Sequence, residues 1–327
     1  MPDPQTLLLP MALLLALALD HLFGEPPARI HPVVWMGAAL GWAGARVAPL
    51  AGEAGGNHFK QNLKVFWHAA LYWCALSVIA FVVAFALQTV CLAAPPWVGA
   101  LGLALCLKPL MAWRMLRTDV LAVEAALAQS LAAGRERLGW LVSRDVAQLT
   151  EGQVRESAIE SLAENLNDSV VAPLFWFAVA GLPGAALYRF ANTADAMWGY
   201  RTVRGGREWE WAGKWAARAD DALNWLPARL TALLLWPVGQ GVALWRNAGL
   251  TPSPNGGWPM GAMALGLGVR LGKSGVYTLN ATGREPVAAD VHKAVALAWR
   301  GVWRAATVLA CGLLAAQWMG VGLPWMP

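Results

Sequence analysis

Apolar residues in this chain come in long unbroken runs, not in the short alternations of a half-buried strand. Val65 to Ala94 is the clearest, thirty residues without a charged side chain. Roughly twenty suffice to cross a bilayer as a helix. Pro95-Pro96 breaks this run. A second run follows from Trp97 to Trp113, marked by Lys108 and Pro109 near its end. Leu7 to Leu19 forms an earlier one, interrupted by Pro10, and Val302 to Val321 a last one, with Arg304 at its start. These four segments, 7–19, 65–94, 97–113 and 302–321, are predicted to cross fully. The flank before Leu7 carries Asp3 and no Lys or Arg. A secretory signal needs a positive flank there, so the first run is expected to remain attached as a membrane helix.

Two further stretches are apolar but broken. Segment 170–188 contains Gly181-Leu182-Pro183-Gly184, and segment 225–245 contains Pro227, Arg229 and Pro237. Charge placement decides how to read them. Lys and Arg are absent from 1–19, 65–107 and 305–327. Four lie in 20–64, and seven in each of 108–168, 189–229 and 246–304. Basic loops stay on the cytoplasmic side. The basic segments are therefore expected inside and both termini outside. The broken stretches, with basic loops on both flanks, are expected to dip in and return or to pack without crossing. Irregular backbone at membrane depth is tolerated only where protein buries it or a cavity lies beside it. The fold predicted is all-α: a polytopic integral membrane helical bundle with re-entrant or broken helices and helical cytoplasmic loops. Residues 1–327 are read as a single membrane-embedded domain.

Composition supports this reading. The chain is 57% hydrophobic and 14% charged, with a mean hydropathy of +0.44. A soluble domain carries about 25% charged residues. Twenty Trp against four Tyr favour membrane interfaces. The net charge of +5 comes without any Lys/Arg run longer than two, and without a finger or stacking motif. No nucleic-acid partner is expected, and the lipid bilayer is. Cys74, Cys91, Cys106 and Cys311 show no CxxC or His-paired spacing and read as small core residues.

The polar residues that break this pattern cluster in three patches. In the first, Glu160, Glu164 and Asp168 are four apart and share a helical face, with Asn165 beside them. Three carboxylates on one stripe repel unless a cation intervenes. The second patch holds Arg189, Asn192, Asp195 and Arg201, and the third Arg218, Asp220, Asp221, Asn224 and Arg229. Oxygen ligands of this kind suit Mg²⁺, which is usually held by one or two carboxylates plus substrate phosphates. The planar fork of arginine suits phosphate or carboxylate oxygens. Together the patches point to chemistry on a phosphorylated, anionic substrate at a membrane face. Glu164, Asp168 and Asp221 are the expected metal ligands. Glu160, Glu164, Asp168 and Asp221 are the expected catalytic group. Helix geometry allows Asn224 to pair with either Asp220 or Asp221. Arg218, three residues before Asp221, favours that carboxylate for the ion and leaves Asp220 to pair locally. No Walker-type phosphate loop is present, and none of the five histidines lies in the patches.

These patches carry a specific resemblance. Asp20…Phe23-Gly24-Glu25-Pro26-Pro27, His31-Pro32-Val33-Val34-Trp35-Met36-Gly37 and Arg144-Asp145 open a series of motifs. Glu160-Ser161-Leu162-Ala163-Glu164-Asn165-Leu166-Asn167-Asp168 and Asn192-Thr193-Ala194-Asp195 continue it. Arg218-Ala219-Asp220-Asp221 and Ser253-Pro254-Asn255-Gly256-Gly257-Trp258-Pro259 close it. In this order, over almost the whole chain, the sequence resembles the adenosylcobinamide-phosphate synthase family of cobalamin biosynthesis, the CobD/CbiB family. It departs from that family's usual pattern at Glu25, Arg189, Val146, Ala196 and Met260.

The resemblance implies an inner-membrane ligase with its site facing the cytoplasm. Such an enzyme joins (R)-1-amino-2-propanol phosphate, or a close analogue, to a carboxylate of adenosylcobyric acid at the expense of ATP with Mg²⁺. It further implies that Asn165, Asn192, Asp195, Arg189, Arg201, Arg218, Arg229, Asn224, His31 and Asn255 bind substrate. Other enzymes of corrinoid assembly are implied as partners. The alternative is a non-catalytic relative, an AmpE-like membrane sensor or a corrinoid-binding paralogue. Such a protein would not need Glu160, Glu164, Asp168, Asp195, Asp220 and Asp221 kept together.

Overall fold

The computed structural model describes residues 4–52, 59–235 and 239–319. Helix α1 (Pro4–Phe23) carries Asp20 in its last turn, where the buried carboxylate accepts the Arg114 backbone N–H at 3.0 Å. Helix α2 (Pro32–Val47) starts where His31 Nδ1 accepts the Val33 N–H and Pro32 takes the first helical position. Helix α3 (Phe59–Leu92) is thirty-four residues long, about 50 Å at 1.5 Å per residue. Only 17% of its most apolar window is buried. Val78, Ile79, Phe81, Val82, Val83 and Phe85 face outward on it. A helix so apolar and so little covered by protein is one that faces lipid.

Helix α4 (Pro96–Leu107) does not continue to residue 113, as the sequence pattern predicted. A 3₁₀ turn at Lys108–Leu110 and extended backbone at Met111 separate it from α5 (Trp113–Leu127). Pro109 lacks the N–H a continuing helix would use, and the Ala112 N–H goes instead to the Ser169 carbonyl at 3.0 Å. Helix α6 (Leu131–Leu138) and the polar helix α7 (Glu151–Leu166) follow. A full capping box of Thr150 and Gln153 opens α7.

Helix α7 runs through a π-helical turn at Asn167–Val171 into α8 (Ala172–Trp198). This stretch doubles back on itself. Twenty residues of straight helix would separate residues 169 and 189 by about 30 Å. Instead Arg189 Nη1 donates to Ser169 Oγ at 3.1 Å, and the Tyr188 hydroxyl donates to the Asp168 carbonyl at 3.3 Å. The reversal falls at Ala180 and Gly181, where φ of +67° and ψ of −163° are open in practice only to glycine. Gln88 Oε1 on α3 accepts the Leu182 N–H at 2.7 Å and so satisfies the broken backbone.

The chain is an all-α membrane bundle. Among the described residues, five helical runs are long and apolar enough to cross, α4 and α5 counting as one, and four of them overlap the segments expected to do so. The fifth, Glu151–Trp198, contains the hairpin, whose two ends lie side by side. The first crossing extends from the predicted 7–19 to Phe23. The last begins at Ala288, far before Val302, and residues 320–321 of its prediction lie outside the described residues.

Beyond α8, a small antiparallel hairpin, β1 (Val203–Arg204) and β2 (Arg207–Glu208), leads to α9 (Lys214–Leu223) and α10 (Trp225–Leu234). Helix α11 (Gly241–Ala248) follows. Residues 236–238 of the broken stretch 225–245, Pro237 among them, lie outside the described residues. Neither α10 nor α11 alone has the roughly twenty residues needed to cross. Helix α12 (Gly257–Leu267) and a second hairpin, β3 (Leu271–Lys273) with β4 (Tyr277–Leu279), precede the long α13 (Ala288–Trp318). Apolar side chains of α1, α4, α5, α7, α8, α12 and α13 form the main core. Its polar edge is the mouth of the α8 hairpin.

Candidate active site

At that mouth, α7, the π turn, the returning arm of α8, α9 and the loop before α12 surround a cavity of about 360 Å³. Glu164, Asp168, Asp195, Asp220 and Asp221 all border it, with Arg201 and Asn255. The hairpin explains the convergence. It brings Asp195 back beside Asp168, from which it is far removed in sequence.

A buried amide network holds the floor. Asn167 Nδ2 donates to Asp168 Oδ1 and to Asn224 Oδ1, both at 2.8 Å. The Tyr188 hydroxyl shares its one proton between the Asp168 carbonyl and the same Asn224 oxygen, the nearer at 2.9 Å. Asn224 Nδ2 donates to Asp220 Oδ2 at 3.1 Å, and Asn192 Nδ2 to Asp220 Oδ1 at 3.4 Å. Thr231 Oγ1 closes the network on Asn167 Oδ1 at 2.9 Å. Asp220 is thus held by two amides, as the local pairing predicted for it requires. Burial, reinforced by the charges of Asp168 and Asp195, pushes its carboxyl well above the ordinary range, against those two hydrogen bonds.

Asp221 is less enclosed. Burial raises its pKa, and the Arg201 guanidinium opposes the rise. Arg218 does not play the part expected of it. It is exposed, borders neither cavity described here and forms no ion pair with Asp221 among the described residues. Three-residue spacing put it on the right face, but the connection from α8 to β1 brings Arg201 toward Asp221 instead.

Arg229 stacks over Trp225 and Trp258 and donates to Asn255 Oδ1 at 2.5 Å and to the Pro254 carbonyl at 3.1 Å. Asn255 in turn donates to the Asp221 carbonyl at 2.8 Å. Arg229 therefore fixes the loop that forms one wall, and its side chain is spent on that task. Arg189 lies buried between the charges of Asp168 and Glu25. His31 is elsewhere. It caps α2 and bonds Glu25 at 2.9 Å, with Lys108 3.7 Å from the same carboxylate oxygen. The sequence motif marked a helix cap and an ion cluster there, not a wall of this cavity.

The acidic stripe of α7 is divided. Asp168 faces the large cavity, and Glu160 faces a second one of about 180 Å³ with Asn165, Arg144, Lys273 and Tyr277. Glu164 borders both. Arg144 Nη2 donates to Glu160 Oε2 at 2.8 Å. Asn165 donates back to the Ser161 carbonyl at 2.9 Å. Asn167, Tyr188, Thr231, Lys273 and Tyr277 were not anticipated as site residues. Asn167 stood inside a quoted motif, but nothing in the sequence connects the β3–β4 hairpin to α7.

Among the described residues, no three carboxylate, histidine or cysteine side chains converge closely enough to enclose a metal ion by themselves. Mg²⁺ does not require that, being commonly held by one or two carboxylates with water and phosphate. The crowding of acids around Asp220, with its raised carboxyl, suits a cation in the cavity. Asp168 and Asp221, facing it, are the residues that would hold one, with Glu164 at the rim.

Fold and site define a membrane-embedded helical protein that gathers carboxylates, amides and arginines at the mouth of a re-entrant hairpin. The family model described as CobD/Cbib protein matches residues 13–304, and the chain belongs to that family. It is 41% identical to the probable cobalamin biosynthesis protein CobD of Thermococcus kodakarensis, over 88% of this chain and 90% of that one. It is 40% identical to the cobalamin biosynthesis protein CobD of Chromobacterium violaceum, over 94% and 97%. The protein of the same name from Rhodobacter capsulatus is 39% identical over the same shares. No solved structure matches the chain.

Proposed function

We propose that the protein acts in cobalamin biosynthesis as an amide-forming ligase of the inner membrane, its site facing the cytoplasm. The reaction is the ATP-dependent joining of (R)-1-amino-2-propanol phosphate, or a close analogue, to a propionate carboxylate of adenosylcobyric acid. The observation that carries this reading is the cavity at the hairpin mouth, where five acids meet Arg201 beside an amide-braced floor. The relatives' names supply the pathway.

In this reading the corrinoid carboxylate attacks the γ-phosphorus of ATP and ADP leaves, giving an acyl phosphate. The amine then attacks the acyl carbon. The C–N bond forms, the C–O bond to phosphate breaks, and the amine proton passes to a carboxylate. Glu164, at the junction of the two cavities, is placed to take it. Arg201 offers its guanidinium to phosphate oxygens. Asp168 and Asp221 would hold Mg²⁺, which would offset charge on the transferring phosphoryl group. Asn167, Asn192 and Asn224 keep the carboxylates in register.

The test is direct. Purified protein with ATP, Mg²⁺, adenosylcobyric acid and the amino-alcohol phosphate should give the amide, seen by mass spectrometry together with ADP. Binding of adenosylcobyric acid without turnover would favour the non-catalytic alternative.

A further inference from the structure

Asp20, Glu25, Lys108 and Arg189 border neither cavity, yet they gather into a second group of charges beside the first. Three of the four arrive where a helix stops. Asp20 lies in the last turn of α1, Glu25 in the loop after it, and Lys108 in the 3₁₀ turn after α4. Arg189 comes in on the returning arm of α8. Gly24, at φ of +65°, turns the chain just before Glu25.

Asp20 Oδ2 accepts the Arg114 N–H at 3.0 Å. His31 Nδ1 accepts the Val33 N–H, so its proton lies on Nε2, which donates to Glu25 Oε2 at 2.9 Å. His31 therefore adds a hydrogen bond and no charge. Lys108 Nζ stands 3.7 Å from the same Glu25 oxygen. Four further atoms, Asp20 Oδ1, Glu25 Oε1, Lys108 Nζ and Arg189 Nε, are buried with no hydrogen-bond partner among the described residues. What offsets them is opposite charge nearby, whose field reaches far where water is excluded.

Two carboxylates and two bases balance within this group. One of the bases also serves the acid cavity. Arg189 Nη1 bonds Ser169 Oγ at 3.1 Å, next in sequence to Asp168, and the charges of Glu25 and Asp168 both act on it. A single guanidinium is thus shared between two acids. The stronger the hold of Glu25, the less of that charge falls on Asp168.

We propose that Glu25 is a positioning residue: by holding part of the Arg189 charge it stops that guanidinium from neutralising Asp168, and so keeps the cavity receptive to a divalent cation. Lys108, paired with Glu25, sets how firmly it does so. The proposal rests on the reading of the cavity as a Mg²⁺ site and extends it to residues that touch neither ion nor substrate. Removing the Glu25 charge turns all of Arg189 upon Asp168. Removing the Lys108 charge does the reverse and leaves Glu25 to Arg189 alone. A pair that only braced the fold would be damaged alike by either change.

The experiment uses Mn²⁺ in place of Mg²⁺, the free ion being counted by electron paramagnetic resonance over the purified full chain in detergent, without substrates. Glu25→Gln should weaken Mn²⁺ by about fivefold or more, the lower end of ordinary coupling between sites. Lys108→Met should bind it as tightly as wild type or more tightly. Glu25→Asp, which keeps the charge, should stay near wild type. In an Arg189→Gln background, Glu25→Gln should leave the affinity nearly unchanged.

Equal weakening by Glu25→Gln and Lys108→Met overturns the proposal. So does a loss from Glu25→Gln that persists without Arg189, because Glu25 would then act on the ion by another route. Should Glu25→Gln not fold, the other variants decide: weaker Mn²⁺ in Lys108→Met refutes the proposal, and tighter Mn²⁺ there supports it. Wild type that binds no Mn²⁺ refutes the Mg²⁺ reading itself. The sharing of Arg189 is then read from melting curves in EDTA, where Glu25→Gln should lower the midpoint clearly in wild type and little in Arg189→Gln, and equal drops refute it. None of these readouts involves amide formation, so the ligase reading stands or falls on its own assay.

Discussion

Asp220 and Asp221 are neighbours in sequence with opposite surroundings. Asp220 is enclosed by Asn192 and Asn224, while Asp221 borders the cavity with Arg201 as its nearest cationic influence. Asp221→Asn is therefore expected to raise the Mg²⁺ concentration for half-maximal activity at least tenfold, and Asp220→Asn much less. An equal shift in the two titrations would mean a shared ion. Asp220 also gives a pH signature. Its folded-state pKa is raised, so the stability it contributes is fully present below the unfolded carboxylate value of about 3.9. That contribution is lost as pH rises through the higher folded value. In EDTA, the thermal midpoint of wild type should fall relative to Asp220→Asn as pH rises from acid toward neutral. A constant gap between the two melting curves would contradict the assignment. Glu164→Gln keeps shape and removes charge. Activity should drop by about a hundredfold or more, the scale of a lost general base, with the variant still inserted in the membrane. Full corrinoid-dependent growth on that variant alone would defeat the role. The helical spacing of Glu160, Glu164 and Asp168 made the stripe legible in sequence. Its division between two cavities was not, because Lys273 and Tyr277 arrive on a hairpin from far along the chain.

The α8 hairpin is the element on which the site depends, and it turns on one residue. A Cβ at Gly181 would lie 2.3 Å from Gln88 Oε1, in a backbone region reserved for glycine. Gly181→Ala should therefore cost about 1–3 kcal/mol for the backbone conformation alone, and more from the lost Gln88 contact. Tryptophan fluorescence melts in detergent would read this directly. Gln88→Leu, similar in size, leaves the Leu182 N–H unsatisfied in an apolar setting and should cost about 1–3 kcal/mol. A melting point unchanged in both variants would show that the apex is not held as described. The Gly181-Leu182-Pro183-Gly184 break announced this reversal in the sequence. Gln88 did not stand out, because a single amide in an apolar run gives no sign of its partner on another helix. The π turn at Asn167–Val171 was equally hidden. It registers in backbone hydrogen bonds, not in residue type, yet it lies where Asn167 and Asp168 enter the network. Pro109 was visible in the sequence, and the 3₁₀ turn it occupies shortened a predicted crossing.

At the scale of the whole molecule, two independent patterns agree that the two ends of the α8 hairpin lie on one side. All twenty-five Lys and Arg fall in four segments, and the turn between α3 and α4 has none. Separately, the hydrogen bonds from Arg189 to Ser169 and from Tyr188 to Asp168 return the α8 hairpin to its starting side. The second pattern owes nothing to charge counting, and both put the basic β1–β2 loop on the same side as α7. In the proposed orientation, with the basic segments inside, the acid cavity would open to the cytoplasm, where ATP and Mg²⁺ are found, and the Pro95-Pro96 turn would face out. This can be tested in a variant lacking Cys74, Cys91, Cys106 and Cys311, all of them free thiols. Ala93→Cys, exposed in the α3–α4 turn, should react with a membrane-impermeant maleimide in intact cells. Glu210→Cys and Glu136→Cys, exposed beyond β2 and on α6, should react only after the membrane is opened. Labelling of Glu210→Cys but not Glu136→Cys in intact cells would mean that Glu151–Trp198 crosses after all. The hairpin contacts could not then exist in the membrane, and the acids of α7 and α9 would be parted. Labelling of both, with Ala93→Cys silent, would keep the hairpin and reverse the protein, placing the cavity where ATP is absent. The three sites together therefore separate an error in the fold from an error in the orientation.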